Sequence, residues 1–537
     1  QDGTLKFTAG TPTSSTTMTM SYWVKRYTNG TSGGDNNIFV TGTGGASYLI
    51  VGFGSNYWQF QPYGGSWGAA GGITMNVTAL SRDISAWYHH VIRIDTTQST
   101  QADRVRLYEN GERITSFSTE GVTGQLAENE ALDYINASGV VQAFGGLSGK
   151  GHGTEGADLQ MAEIVFNDGQ SYGPDSYGET KNGVWIPKDP SGLTFGNNGY
   201  WLKMAAGAIG TDSSGNGNNF TAANFAAHDV MLDSPTFNSD SNGGNFATMN
   251  PLSNGSNPVL AEGNLMMDSF SGSDISGSLA NFALPASSGK WYFECFINAP
   301  NSGDNYPFIG LTATTYSQSA TMGVNQRDLS INLGTGGSEK NTTYVGSITT
   351  DFTGVSAYAD NTVCGVFVDM DARKLWYAKD GAFTNSGNPQ DGTNPNYAWT
   401  NNVPLLPHFV SFSGYGADSV LNFGQEGTFA GNVTAGGNAD VTGYGNFKYD
   451  PGDYKALCSG NLPVAAAVDP AQTSDNFPQK LFNAKLYTGD GGSSTGITGV
   501  GFQPDFVWIK RYNAAENHNL YDSTRGVNKR IQSNRNV

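Results

Sequence analysis

Histidine, cysteine and charge are all scarce in this 537-residue chain: six His, three Cys and only 14% charged residues. An average soluble domain carries roughly 25% charged residues. The 28 basic residues stand against 46 acidic ones, for a net charge of −18. A sequence-independent grip on nucleic acid needs clustered Lys and Arg to displace counterions, so nucleic acid is not an expected partner. The same shortage disfavours an anionic membrane surface. No apolar run approaches the roughly 18 residues that cross a bilayer as a helix. The cysteines, at Cys295, Cys364 and Cys458, form neither a disulfide framework nor a zinc spacing. Cys295 and Cys364 lie in apolar stretches and read as small buried residues, with a bridge between them as the alternative.

Glycine and aromatics are plentiful instead. There are 73 Gly and 20 Pro, and aromatics make up 12% of the chain. Disordered chains are aromatic-poor and charge-rich, which excludes disorder throughout. Coiled coils and helical bundles need Ala, Glu, Lys and Leu at helical periods, a bias missing here. Short strands punctuated by Gly, Asn, Ser and Thr remain, so the fold class is all-β, with about three domains expected from the length.

Along the chain, residues 1–205 carry alternating stretches at 18–25, 48–53, 57–61, 87–95, 104–109 and 161–167. Asn110-Gly111 is a two-residue hairpin signal between 104–109 and a further strand at 113–117. This block reads as a two-sheet sandwich of jelly-roll size. Residues 206–262 are rich in Gly, Asn and Ser and read as a linker, wrapped over its neighbours and anchored by Phe220, Phe225, Phe237 and Phe246. Residues 263–425 read as a second sandwich, with strands near 290–297, 306–311, 362–370, 374–378, 405–412 and 419–423. Residues 426–480 read as a low-complexity linker. Residues 481–537 read as the start of a further β domain, opening on a hairpin of 480–488 with 502–510. The N-terminus shows no basic or apolar leader, and the polar ending just after a patterned segment raises the expectation of a longer natural chain.

Few motifs carry chemistry. Glycoside hydrolysis needs two carboxylates about 5–9.5 Å apart. The nearest cluster, Glu128-Asn129-Glu130-Ala131-Leu132-Asp133, sits in a polar, loop-like stretch, and Glu163 alone cannot supply both acid and nucleophile. No Gly-rich phosphate loop is present, and no local spacing assembles a Ser/His/Asp or Cys/His site. The expectation is a non-enzyme without a resident cofactor. Asp212, Ser214 and Asn216 alternate before Gly217, like positions 1, 3, 5 and 6 of a calcium loop, but Ala223 stands at position 12, where a bidentate acid belongs. Calcium and a plain Asx/Gly turn are the two readings. Tyr57, Tyr63 and Trp67 lie with Trp58 among glycines, where exposed rings would stack on a glycan and buried ones would fill a core.

Four segments of the first block, in order, resemble the laminin G and concanavalin A-like jelly rolls: 20–25 (MSYWVK), 87–91 (WYHHV), 103–112 (DRVRLYENGE) and 161–169 (MAEIVFNDG). The second block resembles SPRY-type sandwiches through 289–294 (GKWYFE), 308–311 (FIGL), 365–371 (GVFVDMD), 375–377 (LWY) and 379–381 (KDG). The combination, with 183–188 (GVWIPK), 212–218 (DSSGNGN), 233–236 (DSPT), 245–250 (NFATMN) and 501–510 (GFQPDFVWIK), resembles virion-associated proteins of tailed, notably marine, bacteriophages. That resemblance implies a structural protein of the virion: a tail fibre or other appendage for host attachment. It implies other virion proteins as partners, homo-oligomerisation as in trimeric appendages, and a host-surface glycan as ligand. Capsid decoration and a carbohydrate-binding or carbohydrate-active module are the alternatives.

Overall fold

Strand side chains alternate between two faces, so a sheet with cover on both sides sorts its residues into two separate apolar layers. Both halves of this protein are built that way. The structure, a computed structural model, describes residues 3–28, 36–44, 47–54, 56–63, 73–120, 126–145, 158–181, 184–236, 243–253, 260–267, 275–298, 307–313, 328–340, 342–352, 355–412, 418–462, 481–489, 491–492, 496–526 and 528–535. The chain forms two compact units: Gln1–Glu179 with Ile186–Pro463, and Thr180–Trp185 with Val464–Val537. The first unit holds two β-sandwiches in tandem, as the composition and strand pattern imply.

The first sandwich packs an eight-stranded sheet on a six-stranded one. The larger runs Phe117–Glu120, Met75–Leu80, Tyr57–Tyr63, Ser47–Gly54, Asn36–Gly44, Val141–Gly145, Thr4–Thr8 and Thr221–Ala223. The smaller runs Tyr200–Leu202, Leu159–Asp168, Thr17–Arg26, Trp87–Asp95, Val105–Glu109 and Glu112–Arg113. Met18, Met20, Tyr22 and Val24 of the Thr17–Arg26 strand point into the core between the sheets. Thr19, Ser21, Trp23 and Lys25 fall on the other face by alternation, and all four are buried. Part of that outer face carries a second apolar layer, Val91, Tyr108, Val165, Tyr177, Phe195 and Trp201.

The second sandwich repeats the scheme. Its ten-stranded sheet runs Leu260–Ala261, Met266–Met267, Ser419–Asn422, Lys290–Ile297, Thr362–Asp369, Lys374–Lys379, Tyr397–Trp399 and Ile348–Asp351, with Ala382–Phe383 and Lys455–Ala456 attached beside it. Facing it are Ile275–Leu279, Leu405–Phe412, Phe308–Ala313, Leu329–Asn332 and Ser338–Lys340. Trp291, Phe293, Cys295 and Ile297 enter the main core. Tyr292, Phe367 and Trp376 turn outward into a layer closed by Phe246, Phe447 and Tyr454. Each sandwich contains a tight hairpin with both central residues at positive φ: Asn110-Gly111 at 49° and 85°, and Asp380-Gly381 at 47° and 78°. That is the type I′ geometry, which matches strand twist and which Asn-Gly and Asp-Gly adopt readily.

Three expectations change, and the cysteines keep the reading of free, buried thiols over the bridge. Residues 426–462 are not a linker: Phe429, Phe447, Tyr454, Ala456 and Leu457 are buried, because outward-facing aromatics of the ten-stranded sheet need a cover. The 206–262 stretch lends an edge strand to each sandwich, and of its proposed anchors Phe220 and Phe246 are buried while Phe225 is exposed; Phe237 lies outside the described residues. The thiols of Cys295 and Cys364 stand opposite one another across an antiparallel pair, yet both are free. Burial raises both, Cys364 to about 12. In the C-terminal unit, Phe506–Ile509 pairs with Asn519–Asp522 rather than with 480–488. Its described 481–489 stretch contains no strand, and Phe482 and Leu486 there are exposed.

Candidate functional site

The loop read as a calcium site keeps its polar atoms for itself. Asp212 Oδ1 accepts the amide hydrogens of Trp201 (2.9 Å) and Ser214 (2.8 Å), and Oδ2 accepts those of the Ser214 hydroxyl (2.8 Å) and the Asn218 amide (2.9 Å). The Asn216 side-chain amide donates to the carbonyls of Gly196 and Gly199. A cation there would face N–H groups rather than free lone pairs, so the arrangement is an Asx turn that pins the Tyr200–Leu202 strand. Of the aromatic cluster, Trp58 is buried and stacks on His90 at 4.0 Å between centroids. Tyr57 is half-buried at the mouth of the same strand. Tyr63 is described in its backbone only, and Trp67 lies outside the described residues.

Carboxylates that sequence reasoning weighed for catalysis have separate partners. Glu128 is exposed and 3.6 Å from the Arg104 guanidinium. Glu163 occupies a bulge in Leu159–Asp168 at a φ of 49°, where its Oε2 accepts the Trp201 indole N–H at 2.7 Å. Burial raises the Glu163 carboxyl above its usual range, opposed by that hydrogen bond. Lys203 lies 4.2 Å over the Trp201 ring and contributes the nearby positive charge. This is a local latch over the outer face of the six-stranded sheet.

Two Ser–His pairs also emerge, one in each sandwich. Ser21 Oγ lies 2.8 Å from His89 Nε2, and Ser330 Oγ lies 2.8 Å from His408 Nε2. All four residues are fully buried. Burial, helped by the charge of His90, pushes His89 down to about 3. A general base works best with a pKa near the working pH, and this imidazole stays neutral across that range. With no access and a weak base, Ser21–His89 ties strands together and does not activate a nucleophile.

The polar row on the outer face of Thr17–Arg26 leads to a buried ion pair between the two sandwiches. His89 stacks on Trp23 at 4.7 Å, and the next outward residue, Lys25, reaches across the junction between the sandwiches. Its Nζ donates to Asp233 Oδ2 at 2.8 Å and to Asn245 Oδ1 at 2.6 Å. Asp233 Oδ1 accepts the Phe246 amide at 2.8 Å, so the ion pair is fastened to the cover of the second sandwich. Asn245 donates to the Ser85 carbonyl and Asn264 to the Tyr27 carbonyl. Burial raises Asp233, and the Lys25 charge opposes that rise. Sequence reasoning singled out 20–25 and 233–236 without linking them, since the partners are 208 residues apart. It also missed a cluster of His228, Asp229 and Glu262. No short-range spacing marks that group in the sequence.

Comparison with known proteins adds little beyond this geometry. Residues 477–537 match the model of a domain of unknown function, DUF7483. No curated protein matches the chain. Among solved structures, the SPRY domain of human HERC1 is 16% identical, with 32% of this chain and 96% of that one covered at a TM-score of 0.24. A human SPRY domain is 14% identical over 28% and 86%, at 0.21. Domains LG4-5 of the mouse laminin alpha1 chain are 11% identical over 78% and 83%, at 0.25. At such scores the architecture rests on the chain's own sheets.

Proposed function

We propose that this chain is a non-enzymatic structural protein of a tailed-bacteriophage particle, working as a tail fibre or related appendage in host attachment. One observation carries the reading: two sandwiches are locked into one body by a fully buried Lys25–Asp233 pair, with the serines and histidines of Ser21–His89 and Ser330–His408 spent on internal bonds. Such a body suits transmission of force and presentation of a surface better than turnover. The phage resemblance of 183–188, 212–218, 233–236 and 245–250 supports the virion as its place, and two of those segments build the junction itself. Its partners in this reading are other virion proteins and copies of itself, with a host glycan as the ligand of Trp67 and its neighbouring tyrosines.

Immunogold labelling of intact particles with an antibody to the first unit tests the proposal. Gold on the tail or its appendages is the expected result. Gold on the head would replace the appendage by capsid decoration, and unlabelled particles would remove the virion reading altogether. Retention on a host-glycan array, lost on Trp67→Ala, tests the ligand separately.

A further inference from the structure

His228 and Asp229 belong to the short turn Ala227–Asp229, and Glu262 to the tight turn between Leu260–Ala261 and Met266–Met267. Nε2 of His228 stands 3.9 Å from Asp229 Oδ1 and 3.9 Å from Glu262 Oε2. Both separations are too long for a hydrogen bond. The three donor atoms nevertheless lie within 4.8 Å of one another. One imidazole nitrogen thus looks between two carboxylate oxygens and bonds to neither. We propose that His228, Asp229 and Glu262 bind a divalent transition-metal ion of the zinc class, which fastens the 227–229 turn to the 260–267 hairpin.

The donor set selects the ion. One imidazole with two carboxylates and no thiolate suits zinc and its neighbours, whereas calcium and magnesium take oxygen ligands throughout. Three protein ligands leave a fourth position for water. Donors bound to one zinc at about 2.1 Å sit roughly 3.4 Å apart in a tetrahedron, so each His–carboxylate gap closes by about half an ångström, within the reach of side-chain rotation.

The surroundings aim the donors. Asp229 Oδ2 is held by the Ala226 amide at 2.6 Å, which leaves Oδ1 for the cluster. The Nδ1 edge of His228 packs at Gly431, where even a Cβ would come within 3.1 Å, so Nε2 is the edge presented. Glu262 is fixed at a φ of 48° in its turn. Among the described residues no lysine or arginine lies within ion-pair distance of either carboxylate, and His228 is the basic group between them. The three side chains are 16%, 21% and 24% exposed, partly desolvated yet open to an ion.

The test uses the full chain without a polyhistidine tag. It is titrated calorimetrically with Zn²⁺ and, separately, Ca²⁺, and its metal content is measured after dialysis. One Zn²⁺ per chain and a higher melting temperature are expected, with His228→Ala and Glu262→Gln each weakening Zn²⁺ at least tenfold. Both variants should melt like the unmodified protein in the presence of chelator. Should His228→Ala fail to fold, Glu262→Gln in its surface turn carries the comparison. Absence of stoichiometric Zn²⁺, affinity unchanged in both variants, or Ca²⁺ bound as tightly as Zn²⁺ would each overturn the assignment.

Discussion

In the first sandwich, the Asn110 side-chain oxygen accepts the His89 amide hydrogen at 2.8 Å, and the Asn110 backbone N–H donates back to the His89 carbonyl. In the second, Asp380 does the same with Val363, at 2.9 Å in each direction. The two sandwiches thus close an equivalent hairpin on its neighbouring strand with one turn residue. They part company in what they bury behind the sheet. On the central strand of the first, Thr17–Arg26, Lys25 is buried on the outward face; on that of the second, Lys290–Ile297, Glu294 is. Glu294 accepts hydrogen bonds from the Lys448 and Tyr449 amides, Tyr292 Oη and Asn422 Nδ2. Turn chemistry is therefore dictated locally, while the buried charge follows from what each sheet is covered by: a neighbouring sandwich in one case, the chain's own 446–458 in the other.

The largest break in that comparison is Lys25→Met. It leaves Asp233 buried without its counter-charge, and removing one partner of a buried pair costs about 3–5 kcal/mol. Denaturant titration should show that loss, while the double variant Lys25→Met/Asp233→Leu recovers most of it. Equal stability of the single and double variants would contradict the clamp.

The two buried titratable groups should give opposite pH slopes. Burial lifts Glu294 from 4.5 to about 7, despite its four hydrogen bonds. Between those values the native state holds a proton that the unfolded chain has released. Its contribution is therefore complete below pH 4.5 and lost as pH rises to 7. The stability difference between the protein and Glu294→Gln should fall across that window by about 3 kcal/mol. His89, moved from 6.5 to about 3, is unprotonated in the native state where the unfolded chain is charged. Its contribution is complete above pH 6.5 and lost as pH falls toward 3, so the difference from His89→Asn should shrink in acid. Parallel pH profiles for the parent and both variants would remove the contrast.

Asn110→Ala and Asp380→Ala should each cost about 1–2 kcal/mol, from one lost side-chain hydrogen bond and from Ala tolerating the left-handed backbone less well than Asn or Asp. The comparison predicts similar losses. A negligible effect in one hairpin alone would show that the shared turn does unequal work.

Those hairpins were legible in the sequence, because Asn-Gly and Asp-Gly between alternating strands dictate geometry over a few residues. The inward faces of 18–25 and 290–297 were legible by the same alternation. Residues 426–462 were not, since their glycines and alanines hide Phe429, Phe447 and Tyr454, which are buried by strands far away in sequence. At Asp212 the sequence left calcium and an Asx/Gly turn as two readings, and only the structure shows where its oxygens go. Lys25–Asp233 and the His228 cluster join distant segments, and no window of sequence contains both sides.

Differential scanning calorimetry of the full chain tests the fused body most directly. The two sandwiches should melt in one cooperative transition, the C-terminal unit apart, and Lys25→Met should split that transition in two. Two separate sandwich transitions in the unmodified protein would contradict the account.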